Sequence, residues 1–557
     1  MAERRVDPKR LVTPLLFAVA IGLALLWWAI GIPLERGRSH LLAGEAARAV
    51  ETLEEWARFG LRPESYEQLL AAAFLLAGES ERAGPWLAKA AARGSDWFPA
   101  LGKDEAGRLF LSRGLYGEFL QWDGAVKVRR DSAEARLYRA AAQLGAGRIE
   151  EARTTLASVD RGAVDAERLA ALEVALARRR EGSYPLVVDR NGQTIAAWQI
   201  ANRDLVPLNT DFTPLVDRSG GRLTVEANLE ALGTANVIET TLDPAVQRAA
   251  LAALAPHRGS LVAIDPRTHE ILAIASSPGG GEPLNVALAG MYEPGSIIKV
   301  LTALAAYDEG RGTEGLYPFD CGGTMAVEGR QFLDWARHGT VTGMEEAMAV
   351  SCNLAFARIG LELGREPLRE VMSKARFGER VNLGILAAPL GTHLRAVDHD
   401  FMLANYAIGL EVQRVSTLHL AMLADMLANR GAMTTPRLVR ARRSILGEPV
   451  GHPQPGFTNL VATPESVDRI RPALEAVVTD PRGTGRRAAL PGVGIAMKTG
   501  TAGDAQDGYD SVVIAFAPAD SPRIAVGIVA ENAGPAELEG ARIARDFLAA
   551  VLRVPTP

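Results

Sequence analysis

Residues Pro294 to Leu304 read PGSIIKVLTAL and form the most informative stretch of the sequence. This apolar stretch predicts a helix, on which Ser296 and Lys299 are three residues apart and share one face. A serine hydroxyl needs an adjacent base to become a nucleophile, and a lysine can serve when burial and nearby cations lower its pKa. The S-x-x-K pattern alone is weak evidence, because a capped and solvated helix would show the same residues.

Two further short motifs follow toward the C-terminus. The sequence Ser351-Cys352-Asn353 precedes an apolar predicted helix, and its hydroxyl and amide could relay protons and orient a substrate backbone. The sequence Lys498-Thr499-Gly500-Thr501 ends a predicted strand; its cation and hydroxyls suit a carboxylate-bearing peptide, and its glycine lets backbone approach closely. Taken separately, the first motif fits a helix cap and the second a β-turn.

Taken together, the three motifs are far more specific than any one of them. S-x-x-K, S-x-N and K-T-G occur in this order and begin 55 and 147 residues apart, which is the serine acyl-enzyme signature of penicillin-recognising proteins. Residues 185–550 resemble the transpeptidase domain of penicillin-binding proteins. The flanking matches are Asp189–Gly192, Thr241–Gln247, Tyr292–Gly295, His338-Gly339, Ala428–Gly431 and Gly483–Gly485. The chain resembles the monofunctional, class B-like type, since no lysozyme-like glycosyltransferase signature precedes residue 185.

The resemblance implies a catalytic role for each of three residues. Ser296 would attack the carbonyl between the two terminal D-alanines of a peptidoglycan stem peptide, and β-lactams would trap the same hydroxyl. Lys299 would be the general base, and Ser351 would relay the proton to the departing amine. An amine from a neighbouring stem peptide would then resolve the acyl-enzyme, with no metal or organic cofactor.

The resemblance also implies a set of substrate-binding residues. Asn353 would hold the substrate amide, and Lys498 would supply electrostatic support. Thr499 and Thr501, on either side of Gly500, would bind the terminal carboxylate. The backbone N–H groups of Ser296 and Thr501 would form the oxyanion hole.

Strand-like sequences lie at the two ends of the catalytic half. Gly259–Ser276 predicts a hairpin, and Val493–Met497, Ser511–Ala517 and Ile524–Ala530 predict three more strands. Residues 296–480, between these groups, are mainly helical. We therefore expect an α+β fold with one antiparallel sheet flanked by helices, and the resemblance implies the five-stranded sheet of the penicillin-recognising, β-lactamase-like fold.

The N-terminal sequence predicts a membrane anchor. Residues 11–34 carry no charge, and roughly 20 apolar residues suffice to cross a bilayer core. Four basic residues lie within residues 1–10, which predicts a cytoplasmic tail, a single-pass helix in the cytoplasmic (inner) membrane and a catalytic domain outside it. The alternative is a cleaved signal peptide, whose apolar region is shorter, about 7–15 residues.

Residues 38–182 predict an all-α helical-repeat region. Gly44, Gly78, Gly114 and Gly147 are separated by 34, 36 and 33 residues, a spacing that weakly resembles tetratricopeptide repeats. The alternative is a helical bundle with coincidental glycines. We expect this region to dock other cell-wall synthesis proteins. Residues 183–240 would form a small β-containing linker or pedestal remnant, and residues 241–552 the transpeptidase domain.

Composition excludes several classes of protein. The chain has 557 residues, 61 Lys plus Arg, 66 Asp plus Glu and a net charge of −5, which gives no reason to expect a nucleic-acid partner. Two cysteines exclude a disulfide scaffold, and no Cys/His group has the spacing of a metal site. Cys321 and Cys352 could be bridged, or Cys352 could pack inward as a small apolar group.

Two other functions stay open from the sequence. A D,D-carboxypeptidase or a β-lactamase-type hydrolase would use the same motifs with water as acceptor. A penicillin-binding sensor or scaffold would bind or acylate without turnover.

Overall fold

The computed structural model describes most of the chain. The described residues are Val19, Ile21, Ile32, 34–57, 66–92, 95–96, 101–180, 183–199, 204–213, 237–278, 285–313, 315–393, 397–410, 413–450, 456–504 and 508–556. The predicted cytoplasmic tail 1–10 and nearly all of the predicted membrane helix 11–34 lie outside them. Within the described ranges, no helix has the length and apolar character needed to span a membrane.

The chain divides into two compact units. The first comprises the chain up to Tyr184 together with the later segment Arg442–Gly451, and nearly all of the rest belongs to the second. The described helices of the first unit, after a helical segment at 34–42, are α1 (Ala46–Ala57), α2 (Tyr66–Leu76), α3 (Ser80–Ala92), α4 (Lys103–Leu111), α5 (Tyr116–Ala125), α6 (Ala133–Gly145), α7 (Ile149–Ala157) and α8 (Ala166–Arg180). A two-residue parallel pair, β1 (Ser95–Asp96) and β2 (Lys127–Val128), completes its described elements.

The periodic glycines lie in the turns between successive helices of the first unit. Gly44, Gly78, Gly114 and Gly147 have φ of +87°, +81°, +69° and +80°, a left-handed conformation that costs glycine little. The helical region predicted for residues 38–182 is confirmed, and its likeness to tetratricopeptide repeats stays a prediction.

The core of the first unit contains residues that are distant in sequence. Trp122 Nε1 donates to the carbonyl of Gln68 at 2.9 Å, across 54 residues. Ile445 and Leu446, from the segment Arg442–Gly451, are buried in the same apolar cluster. This contribution could not be predicted from the sequence, because ten residues inside the catalytic half carry no pattern that assigns them to a helical core.

The main sheet of the second unit has five strands: β7 (Arg258–Asp265), β8 (Glu270–Pro278), β20 (Ala496–Asp504), β21 (Gly508–Ala517) and β22 (Ile524–Ala530). The sheet is antiparallel, in the order β20-β21-β22-β7-β8. The two ends of the catalytic half therefore meet in one sheet, and helices flank it. A Cβ on Gly527 of β22 would lie 2.4 Å from the backbone nitrogen of Ala421, so this glycine lets a helix pack closely on the sheet.

In sequence, most of the remaining elements of the second unit lie between β8 and β20. The helices are α9 (Pro244–Leu254), α10 (Val286–Ala289), α11 (Ile298–Glu309), α12 (Met344–Ala349), α13 (Asn353–Leu363), α14 (Arg365–Lys374), α15 (Asp400–Ile408), α16 (Thr417–Ala428), α17 (Pro464–Thr479) and α18 (Glu539–Leu552). A second five-stranded sheet, in the order β18-β6-β3-β4-β5, joins β3 (Ser183–Val188), β4 (Thr194–Gln199), β5 (Asp204–Pro207), β6 (Val237–Thr240) and β18 (Val439–Arg443). The short paired strands are β9 (Phe319–Cys321) with β12 (Gly339–Val341), β10 (Thr324–Val327) with β11 (Arg330–Leu333), β13 (Arg380–Asn382) with β14 (Ala387–Pro389), β15 (Gly391–Thr392) with β16 (Arg414–Val415), and β17 (Ala432–Thr434) with β19 (Thr458–Leu460).

Candidate active site

Ser296 lies in a single 3₁₀ turn, Gly295–Ile297, that leads directly into α11. It is half-buried and lines a cleft of about 350 Å³. A Cβ on Gly500 of β20 would lie 2.6 Å from the carbonyl oxygen of Pro294 and 3.4 Å from the backbone nitrogen of Ser296. The K-T-G strand and the serine turn therefore pack backbone against backbone, which requires glycine at position 500.

Lys299 is fully buried one helical turn beyond Ser296. Its Nζ donates to the carbonyl of Ser351 at 2.7 Å, to Ser351 Oγ at 3.2 Å and to Asn353 Oδ1 at 2.6 Å. Burial lowers the pKa of Lys299 to about 7, against a smaller opposing effect from the charge of Asp334. The ammonium is thus able to lose its proton near neutral pH, which a general base must do.

Ser351 lies between two lysines. Its backbone has a φ of +55°, and its Oγ accepts from Lys498 Nζ at 2.9 Å as well as from Lys299. Lys498 is fully buried and also donates to the carbonyl of Thr499 at 2.6 Å. Burial, and then the charge of Lys299, hold the pKa of Lys498 well below its usual value. A hydroxyl bonded to both amines can pass a proton between them.

Asp334 supports this group from the loop after β11. Its Oδ2 accepts from the backbone nitrogens of Asn353 at 2.9 Å and Leu354 at 3.4 Å, at the start of α13. Although burial opposes it, His338, whose Nε2 lies 3.5 Å from Asp334 Oδ1, and the charge of Lys299 keep the pKa of Asp334 below its usual value. Sequence reasoning missed Asp334 because a contact across 19 residues leaves no periodic signal.

A disulfide joins the S-x-N motif to the segment that carries Asp334. Cys321 of β9 and Cys352 are bonded, so the pairing that the sequence left open is present in this structure. In the described part of the chain, one group of three could hold a metal: Cys321, Asp334 and His338 place ligand atoms within 4.8 Å of one another. Metals bind cysteine as the thiolate. Because the sulfur of Cys321 is bonded to Cys352, it offers no thiolate to a metal in this structure.

The threonine hydroxyls on the sheet side of the cleft differ in their partners. Thr499 is buried, and its Oγ1 donates to Thr484 Oγ1 at 2.7 Å. Thr501 is exposed, and its Oγ1 accepts from the backbone nitrogen of Ala536 at 3.1 Å. Thr484 belongs to the flanking match Gly483–Gly485 and was not among the residues predicted for the site.

All eight residues predicted for the site lie together in the second unit. The cleft is lined by the predicted residues Ser296, Ser351, Asn353, Thr499 and Thr501, and also by Trp335, Thr484, Tyr509 and Glu537. Lys299 and Lys498 lie behind Ser351, and Gly500 lies against the serine turn. Among the described contacts, Lys299 bonds to Ser351 and Asn353 and not to Ser296. Catalytic hydrogen bonds are often longer in free enzymes than in the reacting complex.

Comparison with known proteins places this geometry in a family. The family model described as "Penicillin binding protein transpeptidase domain" matches residues 259–553. The peptidoglycan D,D-transpeptidase MrdA of Acinetobacter baumannii is 28% identical over 53% of this chain and 51% of its own length. Stage V sporulation protein D of Bacillus subtilis is 28% identical over 62% of this chain and 55% of its own length.

Solved structures agree with the sequence comparison. The D,D-transpeptidase domain of a peptidoglycan glycosyltransferase from Eggerthella lenta is 25% identical and covers 67% of this chain and 98% of its own, with a TM-score of 0.58. Pseudomonas aeruginosa PBP2 in complex with WCK 5153 is 26% identical and covers 66% and 96%, with a TM-score of 0.57. The chain spans about half the length of the curated relatives it matches first. With its α+β fold and its three motifs brought to one cleft, the chain belongs to the penicillin-binding protein transpeptidase family, as a class B-like member.

Proposed function

We propose that this protein is a peptidoglycan D,D-transpeptidase that works through an acyl-enzyme on Ser296 and is inhibited by β-lactams. The observation that carries the proposal is the buried pair of lysines on Ser351 Oγ, at 3.2 and 2.9 Å, beside a serine at the start of a helix. The relatives named as D,D-transpeptidases support the same reaction.

In the first half-reaction, Ser296 Oγ forms an ester bond with the carbonyl carbon of the penultimate D-alanine. Neutral Lys299 takes the hydroxyl proton, and the peptide bond to the last D-alanine breaks. The proton passes through Ser351 to the departing amine, so D-alanine leaves with a neutral amino group. Asn353 holds the substrate amide, and the backbone N–H groups of Ser296 and Thr501 stabilise the oxyanion.

In the second half-reaction, an amine of a neighbouring stem peptide attacks the ester carbon. The new peptide bond forms, the bond from carbon to Ser296 Oγ breaks, and the amine proton returns through Ser351 to the serine oxygen. Attack by water on the same ester would give a carboxypeptidase. The two activities therefore share the first half-reaction and differ only in the acceptor.

The test is labelling of the full chain by a fluorescent penicillin, beside Ser296→Ala. We expect stable labelling of the wild type and none of the variant, with Ser521→Ala, on an exposed loop, as the matched control. Enzyme that has not been exposed to penicillin is separately offered a stem peptide and an amine acceptor, and the cross-linked product is measured against the hydrolysed one. Absence of labelling in folded protein contradicts the acyl-enzyme, and rapid loss of label with release of hydrolysed penicillin favours a β-lactamase.

We further propose that residues 11–34 anchor the chain in the cytoplasmic membrane and that residues 38–182 dock other cell-wall synthesis proteins. The uncharged stretch behind four basic residues supports the first, and the glycine-turn helical hairpins support the second. Carbonate extraction should leave the full chain in the membrane pellet. Replacing Leu23 and Leu25 with arginine should release it, and retention of that variant would contradict the anchor.

A further inference from the structure

One side of the cleft is made of hydrocarbon side chains at the end of α15. Of the described residues that line the cleft, the ones whose side chains carry no polar atom are Ile408, Leu410 and Pro535. Ile408 is the last residue of α15 and is 1% exposed, and Leu410 is half-buried two residues later. Ile408 and Leu410 form what we call the apolar wall, and Ser296 borders the same space.

The apolar wall is fixed directly against the turn that carries the nucleophile. Gly409, between its two members, has a φ of +85°, and a Cβ there would lie 2.0 Å from the carbonyl oxygen of Gly295. On α11, Thr302 Oγ1 donates to the carbonyl of Ala407 at 2.6 Å. Glycine at position 409 therefore lets the end of α15 touch the residue before the nucleophile, and the position of Leu410 is set before any substrate binds.

The backbone of the apolar wall does not replace the polar groups that its side chains lack. The nitrogen of Gly409 donates to the carbonyl of Tyr406 at 3.4 Å, and the nitrogen of Leu410 donates to the carbonyl of Asn405 at 3.1 Å. A water molecule held in a protein needs two to four polar partners. Because the side chains have no donor and these two N–H groups are already bonded, the wall offers them no role in holding a water oxygen.

The acyl-enzyme on Ser296 is lost to water only when a water molecule is placed to attack it. Hydrolysis joins the water oxygen to the ester carbon, breaks the bond from that carbon to Ser296 Oγ and returns a proton to the serine oxygen. Its rate depends on how often water is held beside the ester carbon in the right orientation. Ser351 and Asn353 bring polar groups to other parts of the cleft, and the apolar wall brings none.

Resting on the proposed function, we infer that Leu410 is a specificity-determining residue that slows hydrolysis of the acyl-enzyme. It denies water a hydrogen-bonded position beside the ester on the α15 side of the cleft, so the ester lasts until an amine acceptor arrives. The same exclusion prolongs the β-lactam adduct on Ser296. Leu410 takes no part in proton transfer, so the rate of acylation does not depend on it.

The test separates the loss of the acyl group from its formation. The full chain is labelled with benzylpenicillin and freed of excess, and the release of hydrolysed penicillin is followed over time. Leu410→Asn keeps the size of the side chain and adds an amide that can hold water. We expect its hydrolysis rate to rise about 3- to 10-fold, the range for one hydrogen bond, and its second-order acylation rate to stay within about twofold of the wild type.

Two further variants separate the polar group from other effects of the change. Leu410→Ala opens space without a polar atom, and because a small apolar space stays dry, its hydrolysis rate should stay within about twofold. Leu460→Asn makes the same substitution at a leucine of β19 that is 50% exposed, and both rates should be unchanged. If Leu410→Asn does not fold, the pair Leu410→Gln and Leu410→Met makes the same comparison.

Turnover of a stem peptide with an amine acceptor gives an independent readout. In Leu410→Asn the ratio of cross-linked to hydrolysed product should fall by the same factor as the penicilloyl ester loses lifetime.

A wild-type hydrolysis rate in Leu410→Asn, or an equal rise in Leu410→Ala, would overturn the role of Leu410, while Ser296-dependent acylation keeps the proposed function intact. Absence of that acylation in the wild type would overturn the proposed function and this inference together.

Discussion

The protonation of Lys299 should set the pH dependence of acylation. Its amine is fully buried, and burial lowers its pKa from 10.5 to about 7. If neutral Lys299 takes the proton of Ser296, the acylation rate at limiting β-lactam should follow the neutral fraction of this amine. The rate should rise through pH 7 and level off above it.

The size of the effect follows from the pKa. With a pKa of 10.5, only ~0.03% of the amine is neutral at pH 7, whereas with a pKa of about 7 about half is neutral, a gain of roughly 1,500-fold in available base. With a pKa of about 7, the neutral fraction of Lys299 rises roughly 100-fold between pH 5 and pH 8. The shift corresponds to about 5 kcal/mol of preference for the neutral form.

Two variants assign this titration to Lys299. Lys299→Arg should abolish acylation throughout this range, because a guanidinium stays charged. Asp334→Asn removes the carboxylate whose charge raises the pKa of Lys299 and should move the midpoint to lower pH. Glu309→Gln, which removes an exposed carboxylate from the far end of α11, is the matched control and should leave the midpoint unchanged.

The assay is stopped-flow acylation by a chromogenic cephalosporin from pH 5 to pH 9, with the melting temperature recorded at each pH. A rate that stays flat over this range, or a midpoint near that of free lysine, would refute the role of Lys299 as a base of lowered pKa. An unshifted midpoint in Asp334→Asn would place the titration on another group, of which Lys498 is the nearest.

Three further predictions concern stability and packing. Burial lowers the pKa of His419 to about 4, so the unfolded chain binds a proton below about pH 6.5 that the native state does not. The free energy of unfolding should therefore fall by up to about 3 kcal/mol as the pH is lowered from 6.5 to 4. Measured by urea unfolding, this pH dependence should be flatter in His419→Gln than in the exposed control His399→Asn. Peptide mapping without reductant should recover Cys321 linked to Cys352, and reduction should lower stability by about 3–4 kcal/mol, as expected for a bond that closes about 31 residues. Gly500→Ala places a Cβ 2.6 Å from a backbone oxygen of the serine turn, and acylation should slow at least about tenfold.

The residues that meet in the cleft could be predicted from the sequence, but the residues that support them could not. Ser296, Lys299 and the S-x-N and K-T-G motifs carry recognisable residue types at fixed short spacings, and the structure brings them to one cleft. Asp334 reaches the backbone of Asn353 across 19 residues, and Thr484 reaches Thr499 across 15. Such contacts depend on how loops fold back, and neither residue stands in a pattern whose chemistry is evident in the sequence.

The fold was predictable to a similar depth. The apolar strand sequences at both ends of the catalytic half and the glycine spacing of the N-terminal half indicate a sheet and a helical region, because each follows from local periodicity. Ile445 and Leu446 join the helical core from the segment Arg442–Gly451, and Tyr138 Oη donates to Glu448 there at 3.1 Å. Whether a segment so distant in sequence joins a core depends on tertiary packing alone.

In the proposed mechanism, the choice between transpeptidation and hydrolysis would be made outside the group that moves the proton. Lys299, Ser351 and Lys498 would return a proton to Ser296 from any nucleophile that carries one, so these residues would treat an amine and water alike. Selection must come from groups that hold the acceptor in place before attack. The exposed Trp335, at 54%, and Tyr509, at 37%, line the cleft together with Glu537 and are free to contact a second stem peptide. Changes at these three residues should therefore alter the ratio of cross-linked to hydrolysed product while leaving acylation by β-lactams intact.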